Sequence, residues 1–193
     1  MIEAQPVGPA TTPGPDAVLP ERSPDAVPPG SLIASHYRQC YGCGQDHPSG
    51  LHMQVTAGPG LTLSASFEVG AAHQGAPGLA HGGLLTAAAD EVLGALNWLL
   101  MRPAVTARLE TNFVRPVPVG TVLDLQARIT GVAGRKVFTA VVGLIGPEGP
   151  VALTASGLFI QVPIGHFRAH GRAQEVASAI ADGDAGPPAE MNP

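Results

Sequence analysis

The stretch HQGAPGLAHGGLLTAAADEVLGAL, beginning at His73, holds the residues whose types and spacing could support chemistry. His81, Gly82 and Gly83 lead directly into an apolar run. A helix starting there presents unpaired backbone N–H groups and the positive end of its dipole. Glycine lets a ligand approach that backbone closely, which makes this turn a candidate oxyanion hole. Further along, Asp90 sits among Ala, Leu, Val and Gly, where an ionised group is costly without partners. On composition alone Asp90 reads equally as a helix–helix hydrogen-bonding residue, and the glycine pair as a helix start that needs tight packing. Glu91 points elsewhere on the helix and reads as a structural or rim charge.

A second group precedes this one. Cys40 and Cys43, with His36, His47 and His52 nearby, carry half of the ligand spacing of a structural zinc site. There is no second C-x-x-C, and the histidines would all have to converge from one loop, so no metal is expected. A redox disulfide is equally unsupported, because the strand-to-helix setting of such motifs is absent. His166 and His170 read as surface residues.

The elements that must position these groups follow from hydropathy patterning. Leu51 to Thr56 and Leu61 to Val69 read as two strands of a hairpin around AGPG. From Leu85, apolar residues recur at Ala88, Val92, Ala95 and Leu99, the spacing of an amphipathic helix, with Thr86, Asp90, Gly94 and Asn97 opposite. Pro103 ends that helix. Beyond it Val105, Ala107, Leu109, Thr111 and Phe113 alternate with polar residues, as do Leu123, Leu125, Ala127 and Ile129. Two further β-rich runs, Lys136 to Ile145 and Val151 to Val162, are separated by glycine-containing turns. The order strand, strand, long helix, four strands predicts an α+β domain: an antiparallel sheet against one helix that is covered on one side only. A second copy of the subunit is the economical cover.

Composition bounds the function. The chain has 193 residues, a net charge of -5 and a single lysine, Lys136, so it offers no basic field for a nucleic acid. The apolar stretch from Gly78 to Met101 is interrupted by His81, Asp90, Glu91 and Asn97, which argues against a membrane span. Two cysteines cannot staple a chain of this size, and no leader-like apolar region opens it, so a cytoplasmic protein is the default expectation. Residues 1–30 are proline-rich and expected to be a disordered tail, residues 31–167 are expected to form the folded domain, and residues 168–193 are expected to be a flexible C-terminal tail in which Val176 to Ala181 could form a short frayed helix.

Helix geometry adds a constraint. Gly82 and Asp90 are separated by a rise of about 12 Å, too far to act on one carbonyl carbon. An antiparallel partner helix around a two-fold axis would bring the start of one helix near the middle of the other.

These residues resemble the hotdog-fold thioesterases, particularly the phenylacetate-pathway and acyl-CoA thioesterase branch. The likeness runs from His36 to about Val162: CYGCGQDHPSGL before the first strand, HQGAPG and HGG entering the helix, Asp90 nine residues after His81, and TARLETNFVRPVPVG at the next strand. It implies a dimeric hotdog fold that hydrolyses acyl-CoA thioesters, with coenzyme A as part of the substrate and no separate cofactor. Asp90 resembles the family's carboxylate, as general base or direct nucleophile. Gly82 resembles the amide donor to the thioester carbonyl, and His81 the motif histidine that shapes the loop. Gln74 resembles an amide facing the thioester, and Thr106 a hydroxyl that orients water or the carboxylate. Gly83, Arg115, Arg135 and Lys136 are candidates for holding the coenzyme A portion. Homodimer is expected, with homotetramer left open, and neither nucleic acid nor membrane is an expected partner. A hydratase on this fold pairs aspartate and histidine near the helix start, which this chain does not. A non-catalytic acyl-CoA binding module is the alternative that would dispense with Asp90 and Thr106. No G-x-S-x-G elbow points to an α/β-hydrolase.

Overall fold

A computed structural model describes residues 9–181. Short β1 (Leu32–Ile33), β2 (Gln54–Ala57) and β3 (Thr62–Glu68) precede a small hairpin of β4 (Gln74–Ala76) and β5 (Leu79–Ala80). Helix α1 (Gly82–Ala95) follows, then β6 (Ala104–Phe113), β7 (Val122–Ala133), β8 (Lys136–Ile145) and β9 (Val151–Gln161). Two helices, α2 (Gly165–His170) and α3 (Ala173–Ala181), close the described chain. The main sheet is antiparallel in the order β1-β2-β3-β7-β8-β9-β6. This is the expected antiparallel sheet wrapped around one long helix.

The helix packs because its sheet-facing side is aliphatic. Leu85, Ala88, Ala89, Val92, Leu93 and Ala95 are buried, and on β7 the alternating Leu123, Leu125, Ala127 and Ile129 are buried beneath them. Truncating a fully buried leucine such as Leu93 to alanine would cost about 2–5 kcal/mol. The helix tightens into a 3-10 turn at Leu96–Leu99, and Met101 takes a left-handed φ of 52° just before Pro103. The opposite side of α1, including Thr86, Ala87 and Asp90, is only half-buried. Among the described residues no helix is long and apolar enough to cross a membrane.

Two expectations need correction. The part of the proline-rich tail that the structure describes, residues 9–30, is laid along the fold. Thr11, 3% exposed, donates its hydroxyl proton to Glu110 and lies 2.8 Å from the Ser156 hydroxyl. Val18 and Val132 exchange backbone hydrogen bonds at 3.0 and 2.8 Å, and Ser23 N–H donates to Leu99 O. Proline restricts the unfolded chain, so docking such a segment costs less entropy than its low hydropathy suggests. Residues 1–8 lie outside the described residues. At the other end α2 runs to His170 and α3 spans Ala173–Ala181, a longer helix than the short one expected over Val176 to Ala181; residues 182–193 lie outside the described residues.

The strand alternation also breaks within β6. Between Thr106 and Arg108 the β6–β9 register shifts: Thr106 faces Phe159 and Arg108 faces Leu158. Beyond the bulge Leu109 and Thr111 remain less exposed than Glu110 and Asn112, as the alternation predicts, but Phe113, expected inward, is 54% exposed.

Candidate active site

The start of α1 is capped by its own histidine. His81 has extended backbone (φ -72°, ψ 130°), and its Nδ1 accepts from Gly83 N–H at 2.9 Å. His81 O accepts from Leu84 N–H at 3.0 Å and Leu85 N–H at 3.2 Å, while His81 N–H donates to His73 O. Of the orphan donors that every helix start presents, these bonds leave one: among the described residues the Gly82 N–H has no acceptor. It opens onto a cleft of about 420 Å³ that His81, Gly75, Phe113 and Arg115 also line. Gly75 is glycine because a Cβ there would stand 2.8 Å from His81 Cα.

Asp90 lies two turns along α1, in the wall of a separate cavity of about 630 Å³. Thr106 Oγ1 donates to Asp90 Oδ1 at 2.9 Å, so the β6 bulge carries the hydroxyl to the carboxylate. Burial raises the Asp90 carboxyl above the usual carboxylate range, and the Thr106 hydrogen bond opposes that shift. Trp98, Phe159, Phe167 and Val176 make much of this cavity apolar. Asn97, expected on the polar face, is 5% exposed in the same wall. Its Nδ2 donates to Gly94 O and its Oδ1 is buried without a partner.

Within one chain these candidates are not assembled into one site. Asp90 and Thr106 meet; His81, Gly82 and Arg115 share the other cleft. Gly83 spends its amide on the His81 cap rather than presenting it to a ligand. Gln74 spends its side chain on the β4–β5 hairpin, with Oε1 accepting from Gly78 N–H and Nε2 donating to Ala71 O. Arg115 donates to Val151 O at 2.7 Å. Arg135 and Lys136 sit on the β7–β8 hairpin and line neither cavity.

The Thioesterase superfamily sequence profile matches residues 77–151, the span from the β4–β5 turn through α1 to the start of β9. Residues 77–151 are thus similar to that superfamily, and the chain has the hotdog fold. A solved hotdog structure, the thioesterase superfamily protein RHA08564, superposes with a TM-score of 0.60 at 27% identity, covering 64% of this chain and 61% of that one. A point mutant of the phenylacetic acid degradation protein PaaI from Thermus thermophilus gives 0.53 at 26% identity, covering 58% and 95%. The acyl-coenzyme A thioesterase THEM4 of Xenopus laevis is 30% identical over 96 residues, 50% of this chain and 43% of that protein. This hotdog chain therefore spans less than half the length of that curated relative.

The hotdog domain also brings together four residues that sequence spacing did not assemble. His36, Cys40 and Cys43 from the loop before β2 meet Glu91 from α1, with one ligand-type atom of each within 4.8 Å of the others. Both cysteines are free thiols. The pKa of Cys40 is held down to about 3 by its hydrogen bond with Cys43 and by His36, while that of Cys43 is pushed up by Cys40 and by burial. His36 is raised by Cys40, and burial lifts Glu91 to about 7. Cys-x-x-Cys was the legible half; the fourth member lies 51 residues beyond Cys40 on another element.

Proposed function

We propose that the chain hydrolyses an acyl-CoA thioester to the free acid and coenzyme A as a homodimer. The observation carrying this reading is the Thr106–Asp90 hydrogen bond in the wall of a largely apolar cavity. It holds one carboxylate oxygen and leaves the other available. Asp90 takes a proton from water as the water oxygen bonds to the thioester carbon, or attacks that carbon itself. The developing carbonyl anion is met by the N–H of Gly82 from the second copy, the one helix-start amide that capping leaves unspent. The carbon–sulfur bond then breaks, its electron pair leaves with the coenzyme A sulfur, and that sulfur takes the proton. In the direct-attack variant the sulfur leaves as the thiolate, and water subsequently opens the aspartyl anhydride, regenerating the Asp90 carboxylate and releasing the free acid with the proton that the thiolate takes up.

Support for the dimer comes from the half-buried side of α1 and from β6, an edge strand ten residues long. The curated relative over half the chain is by name an acyl-CoA thioesterase. Arg115 beside Gly82 suits a phosphate of the coenzyme A portion; Arg135 and Lys136 would reach it only across the assembly.

The test is release of free thiol from a panel of acyl-CoAs. Asp90→Asn should lower kcat about 10²- to 10⁴-fold with binding of the thioester retained. Silence of the unmodified chain across every acyl length, with binding intact, would overturn hydrolysis in favour of a non-catalytic acyl-CoA binding module.

A further inference from the structure

We propose that His36, Cys40, Cys43 and Glu91 form a tetrahedral site for a divalent zinc ion that ties the loop before β2 to helix α1. The proposal is independent of the reaction assigned above, because it concerns ligands other than Asp90 and Thr106.

Distances carry it. A zinc ion bonded at about 2.3 Å to sulfur and about 2.0 Å to nitrogen or oxygen, with tetrahedral angles, holds those ligand atoms about 3.5 Å apart. Cys43 Sγ lies 3.4 Å from His36 Nδ1, and Cys40 Sγ lies 3.5 Å from Glu91 Oε2. All four ligand atoms fall within 4.8 Å of one another, so a single ion can reach every one. Two thiolates, an imidazole and a carboxylate suit zinc better than the hard, oxygen-seeking cations.

The surroundings are shaped for the same arrangement. Gly42 sits between the two cysteines, and a Cβ there would stand 2.7 Å from Glu91 Cγ and closer still to the carboxylate. Only glycine lets Glu91 enter beneath the loop. Cys40 N–H donates to Tyr37 O, Gly44 N–H to Cys40 O, and Met53 N–H to Gly42 O, which curls the loop into a knuckle. The Ser35 hydroxyl lies 3.3 Å from Cys43 Sγ and can turn its proton onto a thiolate, a supporting contact of the kind metal ligands commonly have. The other histidines of the loop are engaged elsewhere: His52 Nδ1 is 2.9 Å from Gly44 O, and His47 Nδ1 accepts from Ser49 N–H. His36 is exposed and gives the ion an entry path, while Cys43 is buried. A four-residue protein set with no open position marks the site as structural, and its place one residue after Asp90 makes it a brace for the wall of the larger cavity.

The full chain, purified without chelator under reducing conditions, should contain about one zinc per chain by elemental mass spectrometry. Replacing zinc by cobalt(II) should produce the intense ligand-field bands of a tetrahedral ion together with thiolate-to-cobalt charge transfer. Cys43→Ser should remove about half of that charge transfer. Glu91→Gln should weaken zinc binding at least tenfold, about 1.4 kcal/mol. Gly42→Ala keeps all four ligand residues but evicts the Glu91 carboxylate, so it should weaken zinc as Glu91→Gln does. Should the cysteine variant fail to fold, zinc content and the cobalt spectrum of the unmodified chain still decide. A reduced chain that takes up cobalt only as an octahedral, sulfur-free ion overturns the proposal. So does a metal-free chain with Cys40 and Cys43 joined in a disulfide, or zinc affinity unchanged in both Glu91→Gln and Gly42→Ala.

Discussion

Thr106 Oγ1 stands 2.9 Å from Asp90 Oδ1, a hydrogen bond that joins edge strand β6 to the middle of α1 across sixteen residues of sequence. It leaves the carboxylate one committed oxygen and one free. Under the hydrolytic reading Thr106 positions the carboxylate, and its removal should be felt in turnover more than in binding. A hydrogen bond to a charged group contributes about 1.5–3 kcal/mol, and the exposure of Thr106 argues for the low end. Thr106→Val should lower kcat about tenfold with KM little changed, and Thr106→Ser should restore most of it. Steady-state kinetics on both variants checks this; equal losses in valine and serine variants would contradict it.

Gly82 occupies the first position of α1, where proline is well tolerated because the missing N–H would have been unpaired anyway. The preceding His81 already has the extended backbone that proline demands. Gly82→Pro should therefore leave the thermal midpoint within a few degrees of the unmodified chain while removing the single free amide. If that amide receives the developing oxyanion, kcat falls on the order of 10²- to 10³-fold. Paired melting and kinetic measurements separate the two effects.

The docked N-terminal segment should contribute measurably to stability. Thr11→Val removes the hydroxyl that bonds Glu110 and meets Ser156, at a cost of about 1 kcal/mol. For a domain of this size that corresponds to about 2–4 °C in Tm. Removing residues 1–22 should cost more, since the Val18–Val132 backbone pair goes as well. Thermal denaturation of both forms tests this, and an unaltered midpoint would show the segment to be dispensable.

Phe167 of α2 lines the same cavity as Asp90 and is 37% exposed. Under the hydrolytic reading, Phe167→Ala should raise KM for longer acyl chains several-fold and leave kcat for short ones nearly unchanged, because it removes apolar contact and no reacting group. Comparing kcat and KM along an acyl-length series provides the check.

Much of this was legible beforehand. The three-and-four spacing from Leu85 located α1, and the alternation at Leu123 to Ile129 located the buried face of β7, since each periodicity follows from local backbone geometry. His81, which the resemblance implied would shape the loop, caps the helix start through its Nδ1. Gln74 and Gly83 were less readable. Their amides are consumed by Gly78, Ala71 and His81, partners set by the exact path of a tight loop. The bulge at Thr106 and the docking of residues 9–30 escaped for a related reason: both depend on which strand lies alongside, and periodicity within a segment carries no such information.

The residue pattern by itself therefore determined the elements, their order, the antiparallel sheet around one helix and the pairing of a helix-start amide with a mid-helix carboxylate as the groups to watch. Tertiary structure decided which groups meet. Glu91, 51 residues from Cys40, reaches the two thiols only because the loop before β2 folds over α1, and Gly82 and Asp90 remain in separate cavities of one chain because a helix is rigid along its axis. Hydropathy decides what is buried; closure of the chain on itself decides beside what.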